Sequence, residues 1–294
     1  MRVLFRIAPV LLLLVCAAVP AQELTPRTYN NVPIGVNYIA FGYAFSTGNI
    51  LLDPSLPIEG LDGDVNILFF RYTLSFALFG DNAKFTFFVP RAAGDWTGTV
   101  DGVFQTRKAT GTGDVRFSLD WNFHGAPALN REQFASHTRG TVAGVSLLVI
   151  APTGEYDEER LLNLGSNRWM FRPQIGISWT RRDWTLEALA AVWIYEDNND
   201  FFDGNRLEQD EMVAMKLHAI KTFRPGFWLG FGLGYGKGAQ TFVNGEPKAT
   251  EQTNWRLGAT LAYPLRPNQG LVFSVVSAFN DGAGPEFSGI SVAY

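Results

Sequence analysis

Asp114-Val115-Arg116-Phe117-Ser118-Leu119-Asp120-Trp121-Asn122-Phe123-His124 alternates without a break. Val115, Phe117, Leu119, Trp121 and Phe123 are apolar, and every residue between them is polar or charged. A strand points successive side chains to opposite faces, so this stretch has one oily face and one wet face. Two folds accept such a strand. In a soluble sandwich the oily face meets the core; in a transmembrane barrel it meets lipid and the wet face lines the interior.

The start of the chain bears on that choice. Arg2 and Arg6 precede an apolar stretch from Ile7 to Val19, and Val19-Pro20-Ala21 offers small or compact residues before Gln22. The pattern predicts a secretory signal peptide cleaved after Ala21. As a transmembrane helix the run is too short and lacks a second flank. Leu13-Leu14-Val15 before Cys16 lacks the small residue of a lipoprotein site. Cys16 is the one cysteine of the sequence, so disulfides have no part in the exported chain. The net charge of −4 becomes more negative once Arg2 and Arg6 are removed, which argues against nucleic-acid binding. No later apolar run is long enough to span a membrane as a helix.

Alternating or aromatic-rich runs continue to the last residue, with no linker, composition break or internal repeat. They predict twelve strands, at about 36–46, 65–79, 84–91, 112–124, 140–151, 168–181, 184–196, 210–222, 227–237, 252–263, 270–279 and 286–294. In the second, Leu68, Phe70, Tyr72, Leu74, Phe76 and Leu78 oppose Arg71, Thr73 and Ser75. In the ninth, Phe227, Leu229, Phe231, Leu233 and Tyr235 oppose Gly230, Gly232, Gly234 and Gly236. The third strand reads as short, and the fifth and eleventh have aliphatic residues on both faces. Long links at 47–64, 92–111, 152–167, 197–209 and 238–251 alternate with short ones, as outer loops alternate with periplasmic turns in outer-membrane barrels. The link 125–139 is long for a periplasmic turn, and 280–285 is short for an outer loop.

Three further signals favour the membrane. Gly289, Val292 and Tyr294 match the terminal strand pattern of outer-membrane barrels, which the assembly machinery reads, although Phe287 stands in a nominally polar place. The polar faces are rich in Gly, Ser, Thr and Arg, whereas a soluble barrel would carry many Lys and Glu outside. Trp121, Trp179, Trp184, Trp255, Tyr195 and Tyr263 fall near strand ends, as an interfacial girdle requires. The expected fold is therefore all-β: an antiparallel transmembrane β-barrel of about twelve strands, spanning 36–294 after a signal peptide (1–21) and a short periplasmic arm (22–35).

The mature N-terminal stretch, Leu24-Thr25-Pro26-Arg27 through Tyr29-Asn30-Asn31 and Pro33-Ile34-Gly35-Val36-Asn37, resembles a known bacterial family. So do Gly42-Tyr43, Leu52-Asp53-Pro54-Ser55-Leu56-Pro57, Val89-Pro90, Gly113-Asp114, Pro152-Thr153-Gly154-Glu155-Tyr156 and Glu196-Asp197-Asn198. The family is named for the meta-pathway of phenol degradation. The resemblance implies an outer-membrane barrel, often called a transporter, and by its name an aromatic solute; fold alone does not fix a substrate.

Twelve strands about 4.8 Å apart and tilted about 40° enclose a cylinder roughly 24 Å across, leaving roughly 12 Å between inward side chains. That width accepts a small aromatic or short polar solute, and an open pore and a plugged lumen are both compatible with it. The alternation sends Arg71, Asp114, Arg116, Asp120, His124, Arg172, Gln174, Glu187, Lys216, His218 and Arg256 into the lumen. Buried charges pair or stay hydrated. One reading is a salt-bridge ladder bracing the barrel; the other is a basic constriction selecting anionic solutes such as aromatic carboxylates. The glycine face of the ninth strand either seats a ligand or inward-folded loop, or packs against a bulky neighbour such as Trp228 or Trp193, the reading favoured. The arm 22–33 is expected to be too short for a plug. Loops 53–59 and 155–160 read as solvated, with cation or lipopolysaccharide binding as the alternative.

Catalysis finds no motif. GxSxG, HExxH, metal-type Cys/His clusters, P-loops and dinucleotide fingerprints are all missing from the sequence. Ser136 merely adjoins His137, and Asp120 and His124 are about 13 Å apart along one strand. The chain is thus read as a non-enzymatic channel or transporter for small molecules, with a structural, side-chain-plugged barrel as the alternative and an outer-membrane enzyme behind both. No cofactor, metal or nucleic acid is expected. The expected partners are outer-membrane lipid, the assembly machinery and an unidentified small solute.

Overall fold

Twelve of the described strands form an antiparallel wall in which the last closes on the first. The computed structural model describes residues 24–50 and 55–294; the predicted signal peptide lies outside the described residues. In chain order the strands are β1 (Asn37–Asn49), β2 (Glu59–Leu78), β3 (Asp81–Val100), β4 (Val103–Thr112), β5 (Val115–His124), β6 (Thr141–Ala151), β7 (Met170–Arg181), β8 (Trp184–Tyr195), β9 (Asn198–Phe201), β10 (Asn205–Gln209), β11 (Met212–Arg224), β12 (Phe227–Gly238), β13 (Thr241–Val243), β14 (Glu246–Pro247), β15 (Gln252–Arg266), β16 (Gln269–Asn280) and β17 (Glu286–Ala293). The barrel wall runs β1-β2-β3-β5-β6-β7-β8-β11-β12-β15-β16-β17 and back to β1. Closure continues to Tyr294, whose backbone N–H and carbonyl both bond Phe41. A closed barrel leaves no ladder edge unsatisfied, which a lipid environment demands.

The outer face is apolar. Phe41 is 62 % exposed and Leu68 61 %, and Ile175, Ile177, Leu186, Met215, Leu217, Phe231 and Leu257 are likewise exposed. An apolar belt of this extent is unstable in water and natural in a bilayer. Trp179, Trp184 and Tyr263 stand outside at the end with short turns; Trp255 packs on Tyr235 (ring centroids 4.7 Å apart) at the loop end. Tyr195 departs from the expected girdle. Its position on β8 follows Glu187, Leu189, Ala191 and Trp193 on the inner face, where its ring lies under Arg168.

Where no lipid imposes alternation, the sequence reading misses strands. β3 is 20 residues long, not short, and continues beyond the wall to pair with β4 across Asp101-Gly102, both at positive φ. Asp-Gly is a strong two-residue hairpin signal. Loops 197–209 and 238–251 contribute β9, β10, β13 and β14, a separate four-stranded sheet. The long turn at 125–140 carries a one-turn helix, α1 (Arg131–Ala135), closed by an Asn130–Gln133 capping box.

Candidate functional site

The periplasmic half of the lumen is filled by the chain's own N-terminal residues. The sequence reading set 22–35 apart as a periplasmic arm, with 22–33 too short to be a plug domain by itself. In the structure, Leu24, Pro26, Arg27, Thr28, Tyr29, Val32 and Pro33 contact the inner wall. Tyr29 is 1 % exposed, packed with Ala126, Val142 and Leu189. Its hydroxyl meets Ser146 Oγ at 3.3 Å and accepts from Gln174 Nε2 at 3.2 Å. Gly144 and Gly176 make the room: a Cβ on either would lie 2.4 Å from the Tyr29 ring. Burial pushes the Tyr29 phenol above its ordinary range, so it stays a neutral donor.

The wall then grips the arm's main chain. Glu187 Oε2 accepts the Arg27 N–H at 2.8 Å, and the Lys84 ammonium donates to the Thr28 carbonyl. Asn82 Nδ2 donates to the Val32 carbonyl at 2.9 Å and Ser75 Oγ to the Pro33 carbonyl at 2.6 Å. The Arg27 side chain donates to Thr222 Oγ1 at 2.6 Å and lies 4.8 Å over Trp228. Burial and the Arg139 charge, against Glu187, push its pKa down to about 10, which leaves it charged at neutral pH. The glycine face of β12 receives the arm as well: Leu24 lies against Gly232 and Gly258, and Pro26 against Gly230. An inward segment, rather than Trp193, fills that face; among wall residues, His218 covers Gly232 and Ile220 and Trp228 border Gly230.

Above the arm lies a charged belt. Lys84 and Asp120 are directly paired across β3 and β5, and Arg71 and Arg172 act on the same carboxylate. Asp120, Arg172, Gln174, Glu187, Lys216, His218 and Arg256 all occupy inward positions, as does Arg71, which remains exposed to the lumen. Glu187 also accepts from Ser178 Oγ at 3.4 Å and lies 3.3 Å from His218 Nδ1. That order puts the carboxylate between serine and histidine, whereas nucleophile activation needs the imidazole between them.

One of the expected lumen residues sits elsewhere, and another lines the outer cavity while anchoring a loop. A bulge between Trp121 and His124 pairs His124 with Ala143, whose partner Ile177 is on the outer face. One extra residue reverses the side-chain parity, so His124 leaves the lumen. Asp114 is a loop anchor. Its carboxylate accepts from Gly154 N (2.9 Å), Ser166 N (2.9 Å) and Ser166 Oγ (2.6 Å), pinning loop 152–169 to the barrel mouth. Asn82 was missed because its strand was read as starting at 84; Lys84, the first residue of that predicted strand, was not singled out as a lumen residue.

In the outer half the lumen opens into a cavity of about 240 Å³. Trp96, Trp193, Tyr195, Phe201, Leu207 and Arg116 are among its walls. Arginines face aromatic rings here: Arg116 over Phe88 at 5.1 Å, Arg168 over Tyr195 at 5.1 Å and Arg172 over Trp193 at 5.0 Å. The space suits one ring with a small polar group, below the usual range for drug-sized ligands. A broader bowl of about 720 Å³ lies outside, among Arg107, Glu155, Asp157 and Arg160. Its mixed charges include an Arg160–Asp157 pair at 2.7 Å, as in a solvated loop. Among the described residues, no group of His, Cys, Asp and Glu is placed to hold a metal.

Similar proteins fit this architecture. The COG4313 outer membrane channel from Pseudomonas putida F1 superposes with a TM-score of 0.76 at 21 % identity, over 92 % of this chain and 98 % of that one. The β domain of the Bordetella autotransporter BrkA gives 0.49 at 15 % identity (87 % and 98 % covered), and the KdgM porin 0.45 at 10 % (88 % and 98 %). At 21 % identity the likeness to the first shows the fold alone, a closed antiparallel β-barrel of the outer-membrane type. Comparison with curated proteins finds no match. A family model described as "Putative MetA-pathway of phenol degradation" matches residues 40–294. The chain belongs to that family.

Proposed function

We propose that this outer-membrane barrel is a channel for small amphipathic molecules, of the size of one aromatic ring bearing a polar or anionic group. The observation that carries the proposal is the outer cavity, where Trp96, Trp193 and Tyr195 supply apolar walls and Arg116 and Arg168 supply charge. Ring faces attract both the resident guanidinium groups and a flat solute, while the guanidinium favours a carboxylate or phenolate. The family name points the same way by association only. In this reading lipid surrounds the belt, the assembly machinery engages the last strand, and the barrel performs no catalysis.

Benzoate and cyclohexanol, added to the refolded protein, test it. Benzoate should quench tryptophan fluorescence and carry flux into liposomes, with affinity falling roughly 10-fold in Arg168→Gln, the loss of one charge-assisted bond. Cyclohexanol should bind more weakly. Absence of both benzoate signals rejects the reading. A second reading, a sealed structural barrel, is favoured by the arm in the periplasmic half; it predicts neither current nor flux.

A further inference from the structure

We infer that residues 154–166 form a hinged lid, that solute passes beneath it from the outer bowl into the outer cavity, and that Tyr156 is its latch. The inference names the entry to the cavity assigned above to an amphipathic solute, and rests on that reading for what enters. The bowl and the cavity share Tyr156, Arg160, Asn163 and Leu164 among their walls. One layer of chain therefore separates the broad outer bowl from the aromatic cavity.

The two ends of this segment meet in a neck. A Cβ on Gly154 would lie 2.6 Å from Gly165 Cα, and one on Gly165 would lie 2.7 Å from the Gly154 carbonyl carbon. The Asp114 carboxylate clasps both sides of the neck through Gly154 N and Ser166 N. Beyond the neck the segment is bonded to itself. Asn163 Nδ2 donates to the carbonyls of Asp157 and Arg160 at 3.0 Å, and Asn163 Oδ1 accepts from Asp157 N at 3.0 Å. A loop with touching ends and its own internal packing is a compact unit, able to swing about its neck without unravelling.

The free side is held shut by β9 and the turn after it. The Tyr156 hydroxyl donates to the Asp200 carbonyl at 3.0 Å and accepts from Asn198 Nδ2 at 2.9 Å. Asp203 N donates to the Glu158 carbonyl at 3.1 Å. Underneath, Leu162 and Leu164 join the apolar cluster around Trp96, and Leu161 joins that around Phe201 and Leu207. Opening exposes these leucines, so the closed position dominates and passage follows local opening.

The test uses the refolded chain from Gln22 onward, the predicted mature form, which has no cysteine of its own. Met170→Cys puts one thiol in the cavity wall, and Gln105→Cys puts one on the exposed β4 as a reference. Each is timed against methyl methanethiosulfonate, a small neutral reagent. The Met170→Cys thiol should react more slowly than the reference. Adding Tyr156→Phe, which keeps the ring and removes the latch bonds, should speed it about 10-fold, for two neutral hydrogen bonds lost, and leave the reference unchanged. An unchanged Met170→Cys rate, or one already equal to the reference before the latch is cut, overturns the inference. If Met170→Cys does not fold, Ile67→Cys on β2, also in the cavity wall, replaces it. Benzoate separates latch from ligand contact. In Tyr156→Phe its quenching should start and reverse faster by a similar factor, with affinity held within about 2-fold; weaker affinity at unchanged rates makes Tyr156 a solute contact and overturns the latch. Absence of benzoate quenching alongside a gated thiol rejects the solute reading and leaves the lid standing.

Discussion

Glu187 Oε2 accepts the backbone N–H of Arg27 at 2.8 Å across 160 residues of sequence. The same oxygen lies 3.3 Å from His218, and the other accepts from Ser178. One buried carboxylate thus joins the arm to β7, β8 and β11. Glu187→Ala should leave the Arg27 N–H without that acceptor, at a cost of about 1–3 kcal/mol for the unsatisfied group. The expected result is a protease-accessible arm and noisier single-channel current, with Glu187→Gln milder because its amide oxygen still accepts. Full protection of the arm in Glu187→Ala would show that the latch lies elsewhere.

Tyr29 and Gly176 should couple. Tyr29→Ala empties a slot and should weaken arm docking by about 3–5 kcal/mol, as for other large aromatic deletions. Gly176→Ala places a Cβ 2.4 Å from the ring and 3.0 Å from Leu189 Cγ, which should expel the tyrosine. The double variant should cost less than the two singly, because the added methyl then occupies the emptied slot. Equal additivity in urea unfolding of the lipid-refolded protein would mean that the ring is not held there.

What the sequence reveals follows what lipid enforces. Wherever one face of a strand meets the bilayer, apolar residues recur at every second position, and all twelve wall strands were legible, Phe117-Leu119-Trp121 most clearly. The β3–β4 extension lies beyond the bilayer, where no lipid selects Ala92, Gly94 or Gly98, so its alternation disappears. The arm carries no period. Its trace is complementary: glycines such as Gly144, Gly176, Gly230 and Gly232 mark where the wall makes room, but not for what. His124 was misplaced by a single bulged residue, which parity reasoning cannot see.

The Asp183–Lys221 pair at the β7–β8 turn offers a pH readout. The lysine's hydrogen bond, with turn backbone help, holds the Asp183 carboxyl below its ordinary value of 3.8. A folded pKa below the unfolded one adds stability above the unfolded value and loses it as pH falls through the folded value. Asp183 is exposed and Lys221 partly so, so the effect is small and screened by salt. Asp183→Asn should flatten the acid limb of the stability curve below about pH 4 and leave neutral pH unchanged. An unaltered acid limb would show the pair contributes nothing.

Asp114 lines the outer cavity but should govern the mouth loop more than the passage of ions. Asp114→Ala removes the acceptor for Gly154 N, Ser166 N and Ser166 Oγ. Loop 152–169 should then loosen, and trypsin should cut at Arg160 faster while the barrel stays heat-modifiable. Ion selectivity should hold, since the carboxylate is spent on the loop. A selectivity change without faster cleavage would mean that Asp114 acts on the solute path rather than on the loop.

Leu119 and its neighbour Ser118 test which way the deciding strand faces. Leu119 is 43 % exposed on the outer wall and pairs with Leu147 and Phe85, both outward. Leu119→Arg puts a cation into hydrocarbon and should cost about 2–4 kcal/mol near the bilayer midplane, less toward either interface. Ser118 pairs with Thr86 and Leu148 on the inner face. Ser118→Asp meets a lumen that already holds Arg116 and Arg172, so it should fold normally and shift reversal potential toward cations. Refolding yield in lipid separates the two: loss for Leu119→Arg and retention for Ser118→Asp. The opposite ranking would mean that the oily face of 114–124 packs inside, and that the barrel is inverted.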